Sequence, residues 1–204
     1  MRWTTREHIH FDRAISAWLI KRFVDRDASF TFGKAEGDPA PTPFGVPGVA
    51  LSSHDADGST FHKILLAYGL DDPALAVLDE IVTQGLAYLF SKQEPDNQHL
   101  PGEVVIGLLA LVEGLILSAT DDDEALEKSL ILYDALYALA QARALSRDHD
   151  EAAGIAKMGT GLWRTAFAVT LANDRRAAGT KLGPHRIAEV SENFAPALQR
   201  LRDR

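Results

Sequence analysis

Three short segments near the amino end are candidate strands, and the first two alternate between apolar and polar residues, which is the pattern of a half-buried strand. They cover residues 7–11, 28–32 and 49–54. In the first of them, alternation places His8 and His10 together on the polar face. The stretch 33–48 is rich in Gly and Pro and predicts a loop. We therefore expect a β element of two to three short strands.

Beyond residue 12 most apolar residues recur every three to four positions, which predicts amphipathic helices. Polar residues mark the expected helix starts at Asp12, at Ser59 or Thr60, at Asp72 before Pro73, and at the acidic run 121–124. The helix at 103–119 is apolar almost throughout and is expected to be buried on most sides. The fold class is therefore mainly α (α+β), a multi-helix domain with a small N-terminal β element.

Charged residues at 143–150 indicate a boundary late in the chain. We expect one domain at 1–146 and a C-terminal two-helix extension at 147–204. Each helix of the extension carries an apolar stripe, so it should pack on the main domain or on a second subunit, as in a homodimer. Truncation after Ser146 should then lower solubility or change the oligomeric state.

The first helix carries a cation on the face that its pattern predicts to be buried. The apolar stripe of that helix comprises Ile15, Trp18, Leu19 and Phe23. Arg22 falls within this stripe, where a guanidinium is costly unless an anion meets it. Two explanations remain open: a bound anion, or a structural ion pair with Asp134 or Glu113.

Histidines supply a second candidate site. His8 and His10 have the spacing of two metal ligands on one strand face. Asp12 could add an oxygen ligand, and His54 stands at the end of the third predicted strand. A divalent metal is one expectation, and two exposed histidines near the chain end are the simpler alternative.

Two other motifs have ordinary explanations. The run Ser52-Ser53-His54-Asp55 lacks the elbow of a serine hydrolase, and a polar turn with a local Asx-type hydrogen bond accounts for it. The basic residues at 173–186 predict a solvated loop.

Composition and charge narrow the functional classes. The 204 residues include no Cys, which excludes thiol catalysis, disulfides and thiolate metal sites. A net charge of −8 opposes contact with nucleic-acid phosphates, so direct DNA binding is not expected. The amino end lacks an apolar signal segment and the apolar run 104–112 is too short to span a membrane, so we expect a cytoplasmic protein.

Five ordered blocks stand out along the chain. They are Asp12-Arg13 with the run Trp18-Leu19-Ile20-Lys21-Arg22-Phe23, Pro43-Phe44 with Pro47-Gly48-Val49, His54, the run 68–75, and the run 132–137. Together these blocks, within residues 3–143, resemble the chromate-resistance protein family. In that family this domain forms the C-terminal part of chromate-sensing transcriptional regulators, and it also occurs alone or beside a rhodanese domain.

The chain departs from those regulators at several positions. They carry Cys where this chain has Ser16, and again near Ser59, so a thiol-based sensor is not expected here. They carry basic residues in place of His8 and His10, which implies a cationic anion-binding face over a shared metal site. Their N-terminal DNA-binding portion is not expected in this chain.

The resemblance implies recognition of a small inorganic oxyanion, chromate or sulfate, without chemistry of its own. The alternative is a His-ligated metalloprotein or metal-dependent redox enzyme. The expected ligand-binding residues are Arg22, His54, Arg13, His10 and His8, and those of a metal site are His8, His10 and His54. Arg13 and Arg22 lie about 13 Å apart along one helix, so one small ion cannot contact both. We rank Arg22 with His54 above Arg13.

Overall fold

The structure is a computed structural model, and it describes residues 1–34, 37–96 and 102–147. The extension expected beyond residue 147 and the basic loop at 173–186 lie outside this described part, so both stay predictions.

The described chain contains five α-helices, one π-helical turn and a sheet of three short parallel strands. In chain order they are β1 (Arg2–Thr5), α1 (Phe11–Leu19), the π-helical turn (Ile20–Val24), β2 (Ser29–Phe32), β3 (Thr42–Pro43), α2 (Thr60–Ala67), α3 (Pro73–Ser91), α4 (Gly102–Leu117) and α5 (Asp122–Arg147). This arrangement confirms the predicted class, mainly α with a small β element near the amino end.

The chain divides into two compact units. The first comprises Met1–Asp71 and Leu78–Tyr133 and contains the whole sheet. The second comprises Asp72–Val77 and the chain from Asp134 onward. Within the second unit, the Tyr137 hydroxyl donates to the Asp72 carboxylate at 2.8 Å. Every residue of the candidate site described below belongs to the first unit.

β1 is the central strand of the sheet, with β2 on one side and β3 on the other. Its partners are parallel: Trp3 lies beside Phe30 of β2 and beside Thr42 of β3. Trp3, Thr4 and Thr5 are all buried, so β1 is covered on both faces. A strand of this kind need not alternate between apolar and polar residues.

Two of the three strand predictions are wrong. The segment 28–32 is confirmed as β2, but residues 7–11 and 49–54 form turns, bends and irregular chain, apart from Phe11, which is the first residue of α1. His8 has a φ of +59°, which ends any extended run there. The stretch 33–48, predicted to be only a loop, contains β3. Alternation between apolar and polar residues identifies strands that have one solvent-exposed face. It does not identify β1, which is covered on both faces, or β3, which has only two residues.

Local capping predicted most helix starts correctly. The Ser59 hydroxyl accepts a hydrogen bond from the backbone N–H of His62 at 2.9 Å, which confirms it as the N-cap of α2. At the start of α3, the Asp72 carboxylate accepts from the backbone N–H of Ala74 at 2.8 Å, also as predicted.

By length and composition alone, α3 is apolar enough to cross a membrane, with a mean hydropathy of 1.3. The core helix of a globular domain meets the same criterion. In this chain 44% of that window is buried, and the predicted inward residues Leu75, Leu78, Ile81 and Val82 are among the buried ones.

The expectation that α4 is buried on most sides is wrong. Val105, Leu108, Leu109 and Val112 are buried on one face. Leu111 is 59% exposed and Leu117 is 86% exposed, so the apolar surface of α4 extends beyond the face that the core covers.

Candidate functional site

A cleft opens at the carboxyl ends of the parallel strands. The chain leaves β1 through α1 to reach β2, and then crosses to β3 on the other side of β1. In open parallel sheets, ligands bind where the strand order reverses in this way. We call this cavity of about 250 Å³ the basic cleft. It is lined by Arg6, His10, Asp12, Arg13, Gly45, Ser53, His54, Leu86 and Phe90.

Arg13 is the buried cation of the basic cleft. The residue is only 4% exposed. Its guanidinium donates to the backbone carbonyls of Arg6, Glu7 and His8, with distances of 3.3 Å to Glu7 and 2.6 Å to His8. Burial and the neighbouring charge of Arg6 lower the pKa of Arg13 to about 10, so it remains a cation at neutral pH.

The loop between β1 and α1 is held from two sides. While Arg13 binds its carbonyl groups, the carboxylate of Asp122, at the start of α5, accepts from the backbone N–H groups of His8 at 2.9 Å and Ile9 at 2.7 Å. The loop therefore gives its carbonyls to a cation and its amides to an anion. This pairing explains why the segment does not extend into a strand.

Asp12 was predicted to cap its own helix, and this is wrong because it caps another one. His10 is the N-cap of α1 and makes no side-chain cap bond. The buried carboxylate of Asp12 instead accepts from the Thr60 hydroxyl at 2.8 Å and from the backbone N–H groups of Thr60 at 3.2 Å and Phe61 at 3.4 Å. Asp12 thus joins α1 to the first turn of α2.

Two buried polar atoms, Arg13 Nε and Thr5 Oγ1, have no hydrogen-bond partner among the described residues. A Cβ built on Gly45 would lie 2.7 Å from Arg13 Cγ and 3.5 Å from Thr5 Oγ1. Both side chains therefore border a residue that lines the cleft. A buried donor without an acceptor costs about 1–3 kcal/mol, which a bound acceptor would remove.

Arg6 adds positive charge at the exposed part of the cleft, where His10 also lies. Partial burial, together with the charges of Arg13 and Arg6, lowers the pKa of His10 below its ordinary 6.5, and Asp12 partly offsets this. Asp12 is the single carboxylate among the described residues that line the cleft. Cations therefore outnumber anions there.

His54 also lines the cleft, and it lies in a bend and not at the end of a strand. Its ring stacks on Phe90, with 6.0 Å between ring centroids and 8° between planes. The predicted polar turn that follows is confirmed, because the Asp57 backbone N–H donates to the Asp55 carboxylate at 2.9 Å.

Three of the predicted ligand-binding residues, Arg13, His10 and His54, meet in the basic cleft. Arg22 is half-buried in the π-helical turn and is not among the described residues that line the cleft. A π-helical turn is wider than an α-helical one, so it changes the direction of the residues that it contains. Anion binding at Arg22, and its pairing with Asp134 or Glu113, stay predictions.

His8 does not line the basic cleft but an open groove of about 810 Å³, which His10, Glu7 and the aspartates at 121–123 also line. His8 and His10 do not share a strand face, because no strand forms there. Within the described ranges, no three His, Asp or Glu side chains come close enough together to hold a metal ion. The metal site predicted from His8, His10 and His54 is therefore without support in the structure.

The residues that line this cleft all lie within the part of the chain that matches a known family. A family model described as the ChrB C-terminal domain matches residues 3–140. The chain belongs to this family. That finding confirms the resemblance to the chromate-resistance family, and it gives the chain a chromate-resistance context.

One curated relative is Protein ChrB of Cupriavidus metallidurans, which is 29% identical to this chain over 140 residues. The match covers 66% of this chain and 39% of that protein, so the chain spans well under half of its length. No solved structure matches this chain.

The Asp12-Arg13 pair of the ChrB-like blocks now has a physical role, because one residue anchors α2 and the other anchors the β1–α1 loop. Sequence reasoning missed Arg6, Gly45 and Phe90. Had Arg2–Thr5 been recognised as a strand from its β-branched threonines, Arg6 would have followed as the first residue beyond its carboxyl end. No sequence signal places Phe90 beside His54.

Proposed function

We propose that this chain recognises a small tetrahedral oxyanion, chromate or sulfate, in the basic cleft, without chemistry of its own. Its role in chromate resistance would then be recognition of the anion. The proposal moves the expected site from Arg22 to the cluster of Arg6, His10, Arg13 and His54.

The observation that carries this proposal is the unpartnered Nε of Arg13. The guanidinium is buried and uses its other nitrogens on backbone carbonyls, so Nε–H is left without an acceptor in the described chain. A guanidinium is suited to oxyanions, since its N–H groups match the geometry of neighbouring oxygens. An anion beside Nε would satisfy the donor and offset the charge of Arg13.

The start of α1 favours the same kind of ligand. Its N-cap makes no side-chain cap bond, and a helix N-terminus attracts anions through its free amides and its dipole. Asp12 in the same turn opposes this attraction, but its carboxylate is bound to the start of α2. The exposed guanidinium of Arg6 adds attraction from outside.

Calorimetric titration with sodium chromate and with sodium sulfate tests the proposal. Arg6→Gln and His54→Ala should each weaken binding at least about tenfold, which corresponds to about 1.4 kcal/mol. Both residues are exposed, so neither substitution removes a core contact. Arg26→Gln, which alters an exposed arginine outside the cleft lining, is the matched control and should leave the affinity unchanged.

Arg22→Ala separates the basic cleft from the site first expected from the sequence. The proposal requires this variant to bind with about the wild-type affinity. A loss confined to Arg22→Ala, or an absence of binding by the wild-type protein, would contradict the proposal.

A further inference from the structure

Lys63 of α2 contacts the chain on both sides of His54. Its Nζ donates to the Ser52 hydroxyl at 2.8 Å and to the Ser53 backbone carbonyl at 3.0 Å, and it forms an ion pair with Asp55 at 2.6 Å. The side chain of Lys63 is only 10% exposed. One ammonium group therefore binds residues 52, 53 and 55, and His54 is the residue that they enclose.

The helix that carries Lys63, α2, is anchored at its first turn. The first turn of α2 is held by Asp12 through Thr60, and the Ser52 carbonyl lies 3.1 Å from the Thr60 hydroxyl, whose single hydrogen is shared between these two acceptors. Thus α2 reaches the His54 turn by two routes, from Thr60 and from Lys63. Asp12, which holds the first turn of α2, belongs to α1, the helix that also carries Arg13.

We infer that Lys63 is the positioning residue of the oxyanion site, because it fixes the turn that presents His54 to the basic cleft. The inference rests on the proposed function for its effect on anion affinity. Lys63 does not line the cleft, so it would act through His54 and not by touching the ligand. The motif Ser52-Ser53-His54-Asp55 then has a role: Ser52, Ser53 and Asp55 bind Lys63, and His54 faces the ligand.

Asp55, the residue after His54, carries a constant negative charge in the pH range in which imidazoles titrate. Hydrogen bonds from Lys63, Ser52 and the Asp57 backbone lower the pKa of Asp55 to about 2, so Asp55 stays ionised throughout the pH range in which imidazoles titrate. The other charged or titratable groups that line the cleft are Arg6, Arg13, Asp12 and His10. Without Lys63, Asp55 would keep its hydrogen bonds from Ser52 and Asp57 but would lose its cationic partner.

A double-mutant cycle with sulfate titration tests whether Lys63 acts through His54. Lys63→Met keeps the apolar stem and removes the ammonium, and it should weaken sulfate binding about tenfold. Lys63→Arg should recover most of the affinity because it restores a cation that can donate to the same oxygens. In a His54→Ala background, Lys63→Met should cause little further loss.

Lys128→Met is the matched control. Lys128 also binds a backbone carbonyl, that of Ser118 at 2.8 Å, and a carboxylate, that of Glu124 at 3.0 Å, but it lies outside the cleft lining. It should leave sulfate affinity unchanged. An equal loss in Lys128→Met, or an undiminished effect of Lys63→Met in the His54→Ala background, would overturn the inference.

Hydrogen exchange of the same variants needs no ligand, so it separates this inference from the proposed function. The backbone N–H of Asp55 donates to Gly58 and that of Asp57 donates to Asp55 within the turn. Lys63→Met should speed exchange of these two amides about tenfold, and Lys128→Met should not. Unchanged exchange in Lys63→Met would refute the positioning role even if sulfate binds, whereas faster exchange without sulfate binding by the wild type would refute only the proposed function.

Discussion

Substitution of Asp12 by Ala should destabilise the first unit strongly, because this carboxylate is the anchor of α2. It accepts from the Thr60 hydroxyl and backbone N–H at 2.8 and 3.2 Å, with a weaker contact to Phe61 at 3.4 Å. A hydrogen bond to a charged group contributes about 1.5–3 kcal/mol. The two stronger bonds together therefore represent roughly 3–6 kcal/mol.

Part of this loss should be recovered in the variant. The Ser59 hydroxyl still caps α2 by accepting from His62, and water can enter the space left by the carboxylate. We therefore expect the free energy of unfolding to fall by about 3–4 kcal/mol, which is a large part of the 5–15 kcal/mol of a typical domain.

The assay is urea unfolding followed by tryptophan fluorescence. Trp3 and Trp18 are fully buried in the first unit, so a Trp163→Phe background makes the signal specific to them. Asp123→Ala is the matched control, because Asp123 is the second residue of α5 as Asp12 is of α1, but it is exposed. The control should cost less than about 1 kcal/mol.

A loss below about 1 kcal/mol in Asp12→Ala would refute the reasoning, since a surface carboxylate at a helix start already accounts for that much. An equal loss in Asp123→Ala would refute it as well. Either result would mean that α2 does not depend on Asp12.

Three further predictions concern the cleft and its loop. Asp122→Ala removes the acceptor of the His8 and Ile9 amides and should lower the free energy of unfolding by about 2 kcal/mol in urea titration. Gly45→Ala should cost about 1–3 kcal/mol in the same assay, because Gly45 has φ +62° and the new Cβ would meet Arg13 at 2.7 Å. The lowered pKa of His10 means that the unfolded chain binds the proton more tightly, so the unliganded protein should lose stability as pH falls below 6.5. Sulfate affinity should rise over the same range, and His10→Gln should weaken both trends in thermal unfolding and calorimetry.

Helix starts were predictable because each depends on a few neighbouring residues. Ser59 bonds to the amide three positions later, and Asp72 to that two positions later, so spacing in the sequence reports the contact directly. Asp12 is an aspartate like Asp72, but its carboxylate accepts a hydrogen bond from Thr60, which is 48 positions away in the sequence. No local rule distinguishes the two cases, so the tertiary contact was invisible.

The candidate site shows the same division. His10, Arg13 and His54 were found as chemically capable residues, but their grouping depends on the order of three strands, one of which has only two residues. The sequence favours Arg22 because a regular α-helical period places it on the buried stripe, whereas these residues form a π-helical turn. The structure buries the guanidinium of Arg13 instead. The free-energy cost of burying a charge, which the sequence predicts for Arg22, therefore applies to Arg13.

The most direct test of the central claim is the Nε–H resonance of Arg13 in a ¹H–¹⁵N spectrum during titration with sulfate. This donor has no acceptor within the described chain, so a bound oxyanion should shift its resonance strongly and to saturation. The account predicts that this shift follows the calorimetric binding curve and is weakened in Arg6→Gln. A resonance that stays in place while sulfate binds, or that moves no more than the Arg22 resonance, would contradict it.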